Sequence, residues 1–294
     1  MTSTAAVLAL CRFALDAAAL LLWGASAYLA WLVPRNLAVT VTARIEAAWT
    51  VAVAVAVGAT LARLPVEAAA IGDGWRDGFD PTVVAGVLRG TSVGQAWAAQ
   101  AVAAALLALV QAVPAPRRDA ATALASGLLV ASLSLGGHAV MHEGLIGLMH
   151  RINAVAHLLC AGAWLGALWP VVTVLGLLKR IDRRAEAVSA LLAFSRAGHV
   201  AVALVLVSGA INTALVLGRW PTDLSSPYEA LLDVKLLCVA GMAGLAIANR
   251  YLVVPRLGRR PAAEAALRRA TLAEIALGFA VLALVGVFGL LDPV

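Results

Sequence analysis

The sequence predicts an all-α membrane protein, a polytopic helical bundle of about eight transmembrane helices, and three observations predict it. First, 63% of the 294 residues are apolar, 13% are charged and the mean hydropathy is +0.94, far beyond the roughly 45–50% apolar usage of soluble domains. Second, eight stretches reach the about 20 mainly apolar residues that a bilayer crossing needs. Third, Arg and Lys sit in short gaps between those stretches and favour alternate gaps, as topogenic charges do. A net charge of +6 and a pI near 9.9 come without the basic, aromatic-interleaved face that nucleic acid requires. Nucleic acid is therefore excluded as a partner, and bilayer lipid is the expected surrounding.

The expected spans are 8–33, 46–64, 91–113, 119–137, 150–178, 196–218, 232–253 and 270–291. The first is a retained span rather than a cleaved signal, because no Lys or Arg precedes its apolar run and Arg12 and Asp16 interrupt it. Those two residues are four apart on a helix and neutralise each other. After the second span comes an acidic loop at about 65–90, carrying Glu67, Asp73, Asp77 and Asp80 with Trp75 and Phe79. The third and fourth spans are separated by Arg117 and Arg118, and the fifth is long enough to tilt or to project beyond the lipid. Lys179, Arg180, Arg183, Arg184 and Arg196 lie between the fifth and sixth, and Asp223 and Glu229 between the sixth and seventh. Arg250, Arg256, Arg259, Arg260, Arg268 and Arg269 lie between the seventh and eighth.

Sorting these charges by side, with Arg35 and Arg44, puts most of the basic residues on one face and the acidic loops on the other. The basic face is expected to be cytoplasmic, so both termini are expected to be periplasmic or extracellular. The chain divides at 137/138 into an N-terminal four-span half, 1–137, and a C-terminal four-span half, 138–294. Asp16 and Trp23 are spaced like His157 and Trp164, an echo that suits a parallel repeat of two four-helix units. Cys11, Cys160 and Cys238 all fall within apolar stretches, where no disulfide framework is expected.

The residues with chemical potential concentrate in the C-terminal half. His138, His142, His150 and His157 fall within twenty positions, together with Met141 and Met149. If Gly137 to Gly144 is helical, His138 and His142 stack on one face. On the fifth span, His150, Asn153, His157, Cys160 and Trp164 recur at steps of three and four, a polar stripe on an apolar helix. His157 lies about 10 Å below the start of that span, and an ionisable group at such depth faces the bundle interior with a partner. Ser208 and Asn212 on the sixth span, and Lys235, Cys238 and Met242 on the seventh, are spaced to complete such a site. Asp16 joins them as an outer partner if the repeat holds. Imidazole with thioether selects copper, and thioether selects Cu(I); the scarcity of carboxylates, with Glu143 alone among the histidines, disfavours calcium or magnesium. His199 stands apart at the basic end of the sixth span. No phosphate-binding glycine loop, nucleophile elbow or HExxH helix is present, so no enzyme activity is expected.

From residue 138 to 255 the chain resembles the CopD family of bacterial copper-resistance membrane proteins. The resemblance rests on His157 with Gly162-Ala163-Trp164-Leu165-Gly166, on Phe194-Ser195-Arg196 and on Ser208-Gly209-Ala210-Ile211-Asn212. It continues through Pro227-Tyr228, Leu231-Leu232, Lys235 and Asn249-Arg250. It implies a plasma-membrane (inner-membrane) protein of eight spans that handles copper, generally by moving it inward, beside a separate periplasmic CopC-like copper-binding protein. The residues it carries over are His157, Trp164, Asn212 and Lys235, and one departure is Tyr228-Glu229, where the family pattern has tyrosine-glycine. Two other readings stay open: a haem-binding electron-transfer protein with His157 as an axial ligand, and a non-transporting copper holder or assembly factor.

Overall fold

The computed structural model describes residues 2–114, 117–223, 225–256 and 261–291; Arg259 and Arg260, assigned above to the basic face, lie outside these. Among them every regular element is helical: α1 Ser3–Trp31, α2 Arg35–Ile71, α3 Trp75–Gly78, α4 Pro81–Gly90, α5 Ser92–Leu109, α6 Arg118–Ser132, α7 Gly144–Leu177, α8 Arg184–Leu217, α9 Pro227–Ala248 and α10 Pro261–Phe288. Among the described residues seven segments are long and apolar enough to cross a membrane. Where the sequence suggests a further span, at 119–137, stands α6, whose 15 residues are prolonged by a 3-10 turn at Leu133–Leu135 and fall short of that length.

α6 pairs with α5. Gln100 bonds the carbonyl of Ser132 at 3.5 Å and Gln111 bonds Thr122 at 3.4 Å, so the two helices run antiparallel side by side. Arg12 near the start of α1 donates to the carbonyl of Gly289 at 2.7 Å, which puts the two ends of the described chain on the same side of the bundle. Below, this side is the terminus-bearing face and the opposite side the arginine-rich face.

Between helices in lipid the hydrophobic effect gives little association energy, so close packing and polar contacts hold the bundle. The seam between α1 and α7 shows the first. A Cβ placed on Gly24 would lie 2.0 Å from the Gly162 carbonyl oxygen, and one on Gly166 would lie 2.3 Å from that of Leu20. Only glycine permits this approach, which also brings the Trp23 indole N–H to within 2.8 Å of the Leu159 carbonyl. The core around the seam is apolar and includes Leu20, Tyr28, Leu168 and Leu177.

Three expectations change here. The acidic loop expected from about 65 begins later, because α2 continues through Pro65 to Ile71. Glu67 is buried and ion-paired with Arg63 at 3.2 Å, while Gln100 takes another Arg63 N–H at 3.0 Å; an unpaired charge at that depth would be costly, and the pair removes the need for solvent. The rest of the loop folds into α3 and α4 over the terminus-bearing face, where Trp75 reaches Ser3 at 3.1 Å. Finally, Gly137 to Gly144 is not one helix. A 3-10 turn spans Gly137–Val140, and Gly144, at φ +61°, turns the backbone before α7 begins. His138 and His142 therefore do not share a helical face.

Candidate functional site

The turn at Gly144 has a different effect: it folds His142 back over the start of α7. His142 Nδ1 and His150 Nδ1 stand 3.3 Å apart with their rings at a tilted edge contact. His150 is buried and His142 half-buried. One ring must donate and the other accept, because two lone pairs at this distance repel. A metal ion between two imidazole nitrogens needs them about 4 Å apart, twice the roughly 2.0 Å metal–nitrogen distance. The pair is thus less than an ångström from a two-nitrogen seat. His138 is not a third member; its ring packs edge-on against Tyr228 at 5.5 Å. Met141 and Met149 are exposed, at 45% and 63%. Among the described residues no three or more His, Cys, Asp or Glu side chains gather as a group able to hold a metal ion, so the sequence cluster of four histidines is divided.

Deeper in α7 the expected stripe does meet its partners on α8. Asn153 donates to the Ser208 carbonyl at 2.9 Å and to Asn212 Oδ1 at 2.8 Å. His157 Nδ1 lies 2.9 Å from Ser208 Oγ, and that hydroxyl donates its own proton to the Leu204 carbonyl at 2.5 Å. The hydroxyl oxygen is therefore the acceptor and Nδ1 carries the hydrogen, which leaves a lone pair on His157 Nε2. Fixing one imidazole nitrogen through a hydrogen bond is how proteins ready the other for a metal. Gly209 makes room for the ring: a Cβ there would sit 3.2 Å from His157 Cε1. Because His157 faces Ser208 and Gly209, it has no facing histidine of the kind that two-histidine haem ligation needs.

His157 lines a cavity of about 230 Å³ together with Trp164, Lys235, Met242 and Trp220. Lys235 holds its ammonium 5.5 Å from the centre of the Phe288 ring, a cation–π contact. A second cavity, of about 550 Å³, lies on the arginine-rich side and is lined by Ser195, His199, Asn249, Arg250, Thr271 and Glu274. Trp164 and Leu206 belong to both walls. Trp164, buried and flanked by the glycines of the α1–α7 seam, therefore stands between the two spaces. Cys160 and Cys238 are half-buried free thiols and, like Asp16, border neither cavity; Asp16 sits instead in the field of Arg12 and Arg63.

Glu274 was not singled out in the sequence, although a carboxylate inside an apolar span is itself a signal. It is 3% exposed and accepts a hydrogen bond from Asn249 at 2.7 Å. Asn249 opens a π-helical turn, Asn249–Val253, that ends α9, and such turns displace side chains toward functional positions. Glu229, the departure from the family's tyrosine-glycine pair, takes a structural part. Its fully buried carboxylate accepts from Arg219 and from the backbone N–H groups of Thr222 and Asp223 at 2.8 and 2.9 Å, pinning the loop that carries Trp220 over the His157 cavity.

Residues 1–148 match the family described as copper resistance protein D-like, N-terminal domain, and residues 188–288 match copper resistance protein D. The inner membrane protein YebZ of Escherichia coli K12 is 35% identical over 96% of this chain and 97% of its own length. The chain belongs to the copper resistance protein D family. Within that family it is similar to the copper resistance protein D of Pseudomonas syringae pv. tomato, 31% identical over 58% of each chain. The copper transport protein CutJ of Bacillus subtilis 168 is 28% identical over 78% of this chain, which spans 42% of that protein. No solved structure matches. The residues on which the sequence resemblance rests take these places: Gly162 and Gly166 set the helix seam, Trp164 the wall between cavities, and Ser208, Gly209 and Asn212 the partners of His157 and Asn153.

Proposed function

We propose that this protein carries copper across a bacterial plasma (inner) membrane, inward from the terminus-bearing face, as part of copper homeostasis or resistance. The observation that carries the reading is His157 with Nδ1 held by Ser208, on the wall of a cavity that shares Trp164 with a second one beyond it. A conduit needs a seat for the ion and space on both sides of a barrier, and that pairing offers both. The names of the relatives support copper as the cargo and the inner membrane as the location. The concentration of arginine on one face supports a cytoplasmic assignment for it, with the termini periplasmic.

In this reading the His142–His150 pair, with Met141 and Met149 exposed beside it, receives Cu(I) at the periplasmic face, from a separate CopC-like copper-binding protein. His138 braces the loop against Tyr228. His157 Nε2 takes the ion at depth, where Met242 supplies a soft thioether on the same cavity wall. Asn153 and Asn212 keep α7 and α8 in register.

The test is Cu(I) uptake into proteoliposomes by wild type and His157→Ala, with metal analysis of both proteins in detergent. Loss of uptake and of bound copper in a variant that elutes as wild type is the expected result. Uptake indifferent to the substitution refutes the assignment of His157, and stoichiometric binding without uptake in the wild type favours a copper holder over a transporter.

A further inference from the structure

The 550 Å³ cavity on the arginine-rich side contains a group that copper chemistry leaves unused. Glu274 is a buried carboxylate inside a membrane helix, and its hydrogen-bond donor, Asn249, is neutral. Among the described residues no Arg, Lys or His nitrogen comes within 4.0 Å of it, in contrast to Glu67 and Glu229, which are each paired with an arginine. The charged neighbours on the same cavity wall are Arg184 and His199 of α8, Arg250 of the π-turn and Glu264 of α10. Arg250 is committed elsewhere, donating to Ser195 Oγ at 2.5 Å, and His199 Nδ1 lies 2.6 Å from the Ser195 carbonyl. An ionised carboxylate held in such surroundings is costly unless a positive charge compensates it. A bound proton removes that cost.

We infer that Glu274 is a proton-binding site, and that a proton leaves it each time a copper ion passes Trp164. The inference rests on the transport reading above. Its geometry is that Trp164 lines both cavities while Glu274 lines the one on the arginine-rich side, so the barrier between the spaces borders the space that holds the proton-bearing group. When Glu274 is protonated the cavity is neutral there. When Cu(I) arrives on its side of Trp164, the cation's charge stabilises the carboxylate, and the proton is released to the water of the terminus-bearing side as the barrier rearranges. One positive charge enters and one leaves, so the exchange is electroneutral. A lone hard oxygen donor does not retain soft Cu(I), and the ion moves on when the carboxyl is reprotonated.

The experiment uses the full chain in proteoliposomes with a trapped pH-sensitive dye and an external pulse of Cu(I), comparing wild type, Glu274→Gln and Glu274→Asp. Wild type is expected to move protons counter to copper, Glu274→Gln to reduce that proton movement at least tenfold while keeping copper bound at His157, and Glu274→Asp to restore part of it. Copper uptake by wild type without proton movement, or proton movement unchanged in Glu274→Gln, overturns the inference. If wild type takes up no copper, it is the transport reading that fails. The infrared carbonyl band of a protonated carboxylic acid then decides the site on its own: a band present in wild type and lost in Glu274→Gln supports proton binding, and its absence from wild type refutes it.

Discussion

Replacing Gly24 by alanine tests whether backbone contact at the α1–α7 seam holds the bundle together. The added methyl carbon would lie 2.0 Å from the Gly162 carbonyl oxygen, 2.7 Å from Gly166 Cα and 2.8 Å from the Ala167 nitrogen. All three are backbone atoms, which no rotamer change relieves, so the helices must part by about 1 Å or more. The Trp23–Leu159 bond at 2.8 Å would stretch beyond hydrogen-bonding range. Overpacking costs about 1–3 kcal/mol and the lost bond about 1 kcal/mol, against a gain of up to about 1 kcal/mol from alanine's better helix propensity. The net expectation is a loss of roughly 1–3 kcal/mol. Gly58→Ala on α2, where a Cβ meets nothing within 4 Å, serves as the control and is neutral or slightly stabilising. Equilibrium unfolding in mixed micelles measures both. Equal stability of the two variants would refute the claim that backbone contact at this seam holds the bundle.

Two further expectations concern the loop over the His157 cavity. Glu229→Ala removes the acceptor of Arg219 and of two backbone N–H groups, so amide exchange at Thr222 and Asp223 is expected to accelerate at least tenfold while exchange in α7 stays unchanged; equal acceleration in both would mean global unfolding rather than loss of a latch. The Ser225 hydroxyl and amide hold the Asp223 carboxyl below its usual range. A depressed folded value means that ordering is present above the unfolded value of about 4 and lost as the pH falls through the folded one. Nuclear magnetic resonance shifts of the 222–226 amides titrating together at acid pH would show this, and Asp223→Asn should abolish that titration.

The fold was legible because its determinants are one-dimensional. Span length and hydropathy are set by bilayer thickness, and runs of sequence alone locate the seven long apolar helices, while the expected fourth span is the shorter α6. The α7–α8 contact was legible as well: a three-and-four stripe at Asn153 and His157 and a matching step at Ser208 and Asn212 define two faces that can only satisfy each other. What escaped depends on turns. His142 and His150, eight apart, share no helical face, and they meet because Gly144 takes a left-handed backbone, a conformation that no hydrophobic period records. The departure at Glu229 was visible as a mismatch with the family pattern, but its meaning was not, since its partners come from the preceding loop and not from the bundle. Arg63 and Glu67 are four apart, the helical spacing of an ion pair; the pair was hidden by ending the second span at residue 64.

Lys235 bears on the choice between a conduit and a store. Its ammonium is held near Phe288 on the wall of the same cavity as His157, and a fixed positive charge there opposes a bound cation. Like charges that share one low-dielectric cavity repel, and that repulsion weakens the hold on a bound cation. A protein built to retain copper gains nothing from such a neighbour. A protein that passes copper on gains release, because conduction requires a site favourable enough to fill and weak enough to empty. The single imidazole lone pair at His157 and the exposed thioethers at the mouth fit the proposed transport: each position offers few ligands, as a site that must empty as well as fill requires.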